Sequence, residues 1–428
     1  MFNWLLILVA YLPFQIALNP GAGFDLASLR VFIILFFVIW LVRKIWISDI
    51  SYLKNLQAIG LFLFLILAGF SLIKAENVFW GLRKIIFFLS IFPLYFLVIG
   101  LVNNWLKIRK IILVLISSSI LIALIGLIQF LAPFIFGLNK VYEFWTWQII
   151  PIFSGLNFGA LIMAYPSWLV NVNGHTILRA FSFFSDPHML SFYLGLILPL
   201  AIALSLKISK KIPLFIICCL LFVVLLLTFT RGAYLSVIVT FLVLAGLFWR
   251  YLRAKKIAWL LCLSLLIFII PNTPISDRFY SSFSLEEGSN IGRLEMWQQA
   301  GQVGWQHPWQ GVGLGNYSLL VDSGLGYRNP ITAHNLYLDI FSEMGILNLL
   351  VWLILILGAI WQLFWQMRRS DLEQKYLYLG LIGSLVYFSI HSFFETAIYH
   401  PSILALLMII LGLSTILCSK RLSILASV

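Results

Sequence analysis

Twelve apolar runs decide what this chain can be. They fall at about 4–18, 28–47, 56–73, 80–102, 111–136, 187–206, 212–230, 232–249, 257–271, 335–365, 376–394 and 401–418. A helix needs roughly 20 apolar residues to cross the hydrocarbon of a bilayer. The first run is short for a span, and the run at 335–365 is long enough to begin before the hydrocarbon. Composition agrees, with 62% of the 428 residues hydrophobic and 10% charged, against roughly 45–50% apolar and about 25% charged in a soluble domain. The expected architecture is an all-α polytopic membrane protein of about twelve transmembrane helices, with residues 1–428 forming one integral membrane domain. The first 18 residues, MFNWLLILVAYLPFQIAL, lack a basic n-region and a small-x-small cleavage site, so they read as a retained helix. Cys218, Cys219, Cys262 and Cys418 all lie in apolar runs and read as packing residues, with no disulfide or zinc spacing.

Charge sets the orientation. Arg43, Lys44 and Lys54 follow the second run, Lys107, Arg109 and Lys110 the fourth, and Lys207, Lys210 and Lys211 the sixth. Arg250, Arg253, Lys255 and Lys256 follow the eighth, Arg368, Arg369 and Lys375 the tenth, and Lys420 and Arg421 the twelfth. Every even-numbered exit is basic, which by the positive-inside rule makes those loops and both termini cytoplasmic. The net charge of +13 is therefore topological, and no nucleic-acid partner is expected. The long connections at 137–186 and 272–334 then lie on the outer face, with all six histidines in outer loops or at outer helix ends. Of the ten cations left outside, seven are arginine: Arg30, Arg83, Arg179, Arg231, Arg278, Arg293 and Arg328. Topology needs no arginine there, and guanidinium is suited to bidentate phosphate recognition.

Several outer constellations carry candidate chemistry. In RAFSFFSDPHMLSFYL, Arg179 precedes Asp186, which reads as a helix cap before Pro187, and His188 reads as an interfacial polar residue. In LLLTFTRGAYLSVIV, Arg231 sits at the tip of a very short hairpin, as a headgroup anchor or a buried anion site. Residues 290–306 read as an amphipathic helix capped by Ser289 or Asn290, with Arg293, Trp297 and Ala300 on one face. In HPWQGVGLGNY, Gly311, Gly313 and Gly315 would let backbone N–H groups approach a phosphate, although no P-loop lysine is present. Trp305 and Trp309 fit an interfacial belt or a sugar platform equally well. Asn335, Asp339 and Glu343 recur every four residues as one polar stripe. His334 stands at the outer start of that helix, where the positive helix end disfavours a protonated imidazole. A neutral histidine beside arginines fits a general base.

The ordered set RAFSFFSDPHMLSFYL, TFTRGAYLS, GRLEMWQQAGQVGWQHPWQGVGLGNY and AHNLYLDIFSEMGILNLLVWL resembles the O-antigen ligase and polymerase superfamily of bacterial envelope enzymes, over about 179–357. The resemblance implies transfer of a glycan from an undecaprenyl-diphosphate carrier to an acceptor hydroxyl at the outer face of the inner membrane. The acceptor would be another glycan, lipid A core or a protein, and the partners otherwise membrane lipids. It implies no cofactor and no metal. It also implies His334 as the base, Arg231 and Arg293 on the diphosphate, and Arg179 as a weaker member. Arg83 joins this group on topology alone, and Asn335, Asp339, Glu343 and Gly313 as possible supporting residues. Within the superfamily a ligase and a polymerase differ only in acceptor.

Two other classes fit parts of the sequence. An anion transporter of bicarbonate type would also use buried arginines and twelve helices, but would place its charges near the bilayer midplane. A metal- or acid-dependent enzyme using polyprenyl-monophosphate sugars would place an acid in the first outer loops, where Asp25 and Glu76 lie. Asp25 follows NPGAGF and is adequately explained by a turn and helix cap.

Overall fold

The structure, a computed structural model, describes residues 1–21, 24–45, 55–156, 167–172, 174–207, 211–252, 255–284, 288–322, 324 and 331–419. Arg328, Lys54, Lys210, Arg253, Lys420 and Arg421, named above for their charge, lie outside the described residues.

Each apolar run carries helix over most of its described residues. In chain order the main helices are α1 (Phe2–Tyr11), α2 (Ser28–Ile45), α3 (Leu56–Ser71), α4 (Val78–Ile91), α5 (Pro93–Leu101) and α6 (Trp105–Phe136). Then come α7 (Pro187–Lys207), α8 (Lys211–Leu226), α9 (Arg231–Leu247), α10 (Lys255–Ser264) and α11 (Gly288–Gln306). The last three are α12 (Leu336–Arg369), α13 (Leu372–His391) and α14 (Pro401–Cys418). Asparagine starts several of them by accepting from the first-turn backbone, as Asn55 does from Ala58, Asn77 from Trp80 and Asn104 from Lys107. This satisfies donors that a helix leaves open at its N-terminus.

Seven helical segments among the described residues are long and apolar enough to cross a membrane: Leu56–Lys74, Val78–Leu101, Trp105–Phe136, Pro187–Leu206, Arg231–Leu252, Leu336–Arg369 and Pro401–Cys418. Phe2–Phe14, Pro213–Leu226 and Ile257–Phe268 are shorter apolar helices. The helical membrane architecture is as expected, with two small additions. Antiparallel hairpins pair Ala17–Gly21 (β1) with Phe24–Ala27 (β2), and Leu169–Val172 (β3) with His175–Leu178 (β4). Asp25 thus lies in a strand and not in a cap, with its carboxyl against Gly155.

Burial explains the order of layers. Helices α7 and α14 are apolar on all sides and enclosed on nearly all sides, as a helix without a polar face must be. Helix α13 is fastened to α7 by Tyr387, which donates to the Ser191 carbonyl at 2.9 Å, and by Ser384, which donates to that of Leu196 at 2.6 Å. The outer-lying helices instead show large apolar side chains, such as Leu35 and Ile39 on α2, Ile128 and Phe134 on α6, and Ile354 and Trp361 on α12. On α6 and α12, which are of spanning length, such rows are lipid-facing surface.

Helix α12 is broken. Gly345 has φ 78° and ψ 176°, outside the helical region, so Leu336–Met344 forms a short first limb that meets the long apolar limb at a kink. Glycine takes a positive φ without steric cost, and the loop at 308–310 fills the break: Ile346 donates to the Pro308 carbonyl at 2.7 Å. Non-helical backbone inside a membrane helix needs partners of this kind.

Candidate active site

The N-terminal ends of α7, α9, α11 and α12 meet around the turn 392–396 between α13 and α14. Leu336 at the start of α12 donates to the Ser392 carbonyl at 2.9 Å. Phe394 lies against Gly232 of α9, where a Cβ would come within 2.6 Å, and against Trp297 of α11, at a ring separation of 6.2 Å. Glu395 faces His188 of α7, at 3.7 Å from its Nδ1, and His334, at 3.1 Å from its Nδ1 through either carboxylate oxygen.

His334 therefore is not the neutral imidazole expected beside arginines at a helix start. The Glu395 carboxylate raises its pKa from 6.5 to about 9, against the opposing pull of burial and of Arg293. Burial pushes Glu395 up, but His334, His188 and Arg293 together outweigh it and hold the carboxyl well below the usual carboxylate range. The local helix-end argument fails because it omits a carboxylate 61 residues away in sequence. The backbone at His334 is also strained, with φ 47°, a region that non-glycine residues rarely occupy and that is enriched at functional sites. Phe229, two residues before Arg231, shows the same feature at φ 48°.

Arginines reach this end of the molecule in different ways. Arg179 is 6% exposed and fully engaged: Nε donates to the Thr228 carbonyl at 2.8 Å, one terminal nitrogen to that of Ser167 at 2.9 Å, the other to the Thr230 hydroxyl at 3.0 Å. It clamps the four-residue turn between α8 and α9. Burial pulls its guanidinium down to about 9, which leaves it charged at neutral pH. Arg231 opens α9, is buried, and donates to the Asn290 side chain at 2.6 Å. The Asn290 amide in turn donates to the carbonyls of Ser281 and Ser284 at 2.9 and 2.7 Å. Helix α11 starts at Gly288, so Asn290 lies inside it and is no cap. Arg293 is half-buried on the face expected, with Trp297 on Phe394 and Ala300 buried, and its charge acts on His334, His188, His391 and Glu395. Arg83 is exposed on α4. Its neighbour Lys84 donates to both Glu343 oxygens at 3.1 and 3.0 Å, with its Nζ 4.1 Å from the Tyr399 ring centroid.

The polar stripe of α12 is structural in its bonds. Asn335 caps the helix by accepting from Tyr337 and Leu338 at 3.0 and 3.2 Å. Asp339 accepts from the Ala333 amide at 2.8 Å and from the Thr396 hydroxyl. Glu343 accepts from Lys84 and from the Tyr399 hydroxyl at 3.2 Å. Asp186 caps α7 as expected, accepting from Met189 at 3.1 Å and from Ser185.

Amides of the glycine loop are engaged within the protein. Gly313 donates to the Glu343 carbonyl at 3.0 Å, Val312 to that of Ser342 at 2.9 Å and Gly311 to that of His307 at 2.9 Å. A Cβ on Gly311 would come within 2.3 Å of the Glu343 backbone. Gly311 packs on the break in α12, whereas Gly313 packs on Ala75 and Gly315 on Lys84. Two partners escaped the sequence reading. Glu395 stands in HSFFETAIYH, a polar break at the same end of the chain's helices as His334; Lys84 adjoins Arg83. Among the described residues no group of histidine, cysteine and acidic side chains is arranged to hold a metal ion.

Fold and site together define a polytopic helical membrane protein that gathers a histidine–carboxylate pair and arginines at one end of its helices. Residues 216–353 match the family model described as O-Antigen ligase, and the match supports the O-antigen ligase and polymerase superfamily. No curated protein matches the chain. The matched stretch runs from α8 to past the kink of α12 and includes Arg231, Arg293, Gly313 and His334; Lys84, Arg179, His188 and Glu395 lie outside it. Members of that family are glycosyltransferase-like ligases and polymerases, and the match lends no support to an anion transporter.

Proposed function

We propose that the protein is a membrane glycosyltransferase of the bacterial inner membrane. It moves a glycan from an undecaprenyl-diphosphate carrier to an acceptor hydroxyl at the outer, periplasmic face, as an O-antigen ligase. In this reading the chain crosses twelve times with both termini cytoplasmic, as its basic loops suggest, and the His334 end of the helices faces outward. His334 is the base that takes the acceptor proton, Arg231 and Arg293 hold the diphosphate, and Arg179 supports them by fixing the turn before Arg231. The observation that carries it is the meeting of His334 with the arginine-bearing starts of α9 and α11 around residues 392–396.

The chemistry follows from the donor. As the acceptor oxygen forms its bond to the anomeric carbon, the bond from that carbon to the diphosphate breaks and the electron pair leaves with the phosphate. A diphosphate is a good leaving group and asks for charge stabilisation more than for an acid; fixed cations provide it where water is excluded. The acceptor hydroxyl asks for a base on the opposite face of the sugar. Direct displacement inverts the anomeric centre, and no metal takes part. A polymerase of the same superfamily would use the same groups and differ in acceptor.

The test is transfer from a lipid-diphosphate donor pool by the purified full chain in proteoliposomes, with EDTA present. His334→Ala and Arg231→Ala are each expected to lower transfer by about 10²-fold or more. A folded His334→Ala protein working at the wild-type rate, or a product of retained configuration, overturns the mechanism.

A further inference from the structure

The stripe on α12 and the turn 392–396 close a ring of bonds around His334. Its Nδ1 meets both oxygens of Glu395 at 3.1 Å, and Glu395 is nearly buried, at 12% exposure, where His334 is 42% exposed. One Glu395 oxygen also accepts from the Thr396 amide at 3.1 Å. The Thr396 hydroxyl donates to Asp339, whose other oxygen accepts from the amide of Ala333, the residue before His334. The two partners are thus held to each other through backbone-anchored bonds, and His334 holds a positive φ within the ring. Such strain persists only where surroundings over-determine the conformation. The orientation leaves the Nε2 edge of the imidazole for a reactant.

We infer that Glu395 is the positioning residue of this site: its carboxylate keeps the proton on Nδ1 of His334, so that Nε2 takes the proton of the acceptor hydroxyl, and it then stabilises the imidazolium so formed. This rests on the reading of His334 as the base. Glu395 itself takes no proton; the proton passes from the acceptor oxygen to Nε2 and from there to water. A carboxylate behind an imidazole acts in this way in other enzymes without becoming protonated.

The groups facing the pair come from every neighbouring element. Arg293 faces it from α11, His188 from α7, His391 from the end of α13, Asp339 from α12, and Asp186 from the segment before α7, with Arg179 behind Asp186 and His188. Glu395 and Asp339 favour the imidazolium and Arg293 opposes it. The sign for activity follows. The working base is the neutral ring, so transfer rises with pH through the His334 midpoint of about 9. Without the carboxylate the midpoint falls toward the ordinary histidine value of about 6.5.

The experiment follows transfer from pH 6 to 10 by the full chain in proteoliposomes with the lipid-diphosphate donor pool, for wild type, Glu395→Gln, Glu395→Asp and His334→Ala. Carbon-13-labelled histidine NMR, assigned with His334→Gln, reads the His334 midpoint directly. Glu395→Gln is expected to move the rising limb from near pH 9 toward about 6.5 and to lower the plateau on the order of 10²-fold. Glu395→Asp is expected to restore the high midpoint. An unmoved limb in Glu395→Gln, with His334→Ala inactive, overturns this inference alone. Full transfer by His334→Ala overturns the base reading and this inference with it. Should Glu395→Gln not fold, the wild-type NMR midpoint decides: near 9 supports the pairing, and near 6.5 overturns it.

Discussion

Two polar stretches flank the first limb of α12, one at its start and one at its kink, and they are built in opposite ways. In the glycine loop at 307–316, backbone donors are engaged inside the protein: Gly311 on His307, Val312 on Ser342, Gly313 on Glu343, and Leu314 on the Ser71 hydroxyl at 3.1 Å. Around His334 the backbone is equally well tied, but its bonds hold a ring with one edge open to a reactant. The arginines repeat the contrast. The guanidinium of Arg179 is consumed by three protein acceptors, whereas Arg293 sits half-buried with its charge directed at the cluster. Residue type alone does not separate a binding group from a fastening one. The separation lies in which of its hydrogen bonds the fold already uses.

Arg179 offers the hardest test of that contrast. Alanine there would remove the donor to the Thr230 hydroxyl and leave the Thr228 carbonyl with only the longer bond from that hydroxyl at 3.3 Å, a loss of about 2 kcal/mol. The thermal midpoint of the purified protein in detergent should fall. Arg179→Lys should recover little, because one ammonium cannot reproduce a planar fork reaching three acceptors. A wild-type midpoint combined with a raised donor KM would instead make Arg179 a binding group and break the distinction.

The Lys84–Glu343 pair comes next. It joins α4 to the first limb of α12 with side chains only 13% and 8% exposed. Removing one partner strands a charge, at a cost of about 3 kcal/mol. Lys84→Met and Glu343→Gln should each lower the thermal midpoint, and the double variant should lie above either single one. Additive losses would show that the two residues act separately.

What the sequence makes legible here is whatever is local. Apolar runs mark the helices, because hydrocarbon admits little else. Asp186 before Pro187 reads as a cap, since the bond it makes reaches only to Met189. Arg293 and Trp297 share a face because four residues make about one helical turn, and the structure sets Trp297 on Phe394. Asn290 and Asp25, read as caps, are local misses of a few residues; those around His334 and Glu343 are tertiary. Arg83 and Lys84 are adjacent, and a helix turns their side chains about 100° apart; only the neighbours of α4 decide which one faces Glu343. Glu395 meets His334 across 61 residues, a pairing with no signature in spacing. The neutral state expected for His334 came from the helix end alone, and a carboxylate at 3.1 Å outweighs a partial charge of about half a unit.

Gly313 separates the two stretches most cleanly. Its φ is 97°, and a Cβ there would lie 2.6 Å from that of Ala75. Gly313→Ala should therefore cost about 2 kcal/mol through strain and crowding, and lower the thermal midpoint by a few degrees. A cradle for phosphate would answer differently. Its loss would raise the donor KM while leaving the midpoint nearly unmoved, because a ligand-facing amide carries no load in the unliganded fold. With the Gly313 amide already on the Glu343 carbonyl, the midpoint should move and the KM of the surviving folded protein should not. The opposite pattern would return the glycine loop to the binding site and leave the break at Gly345 without its support.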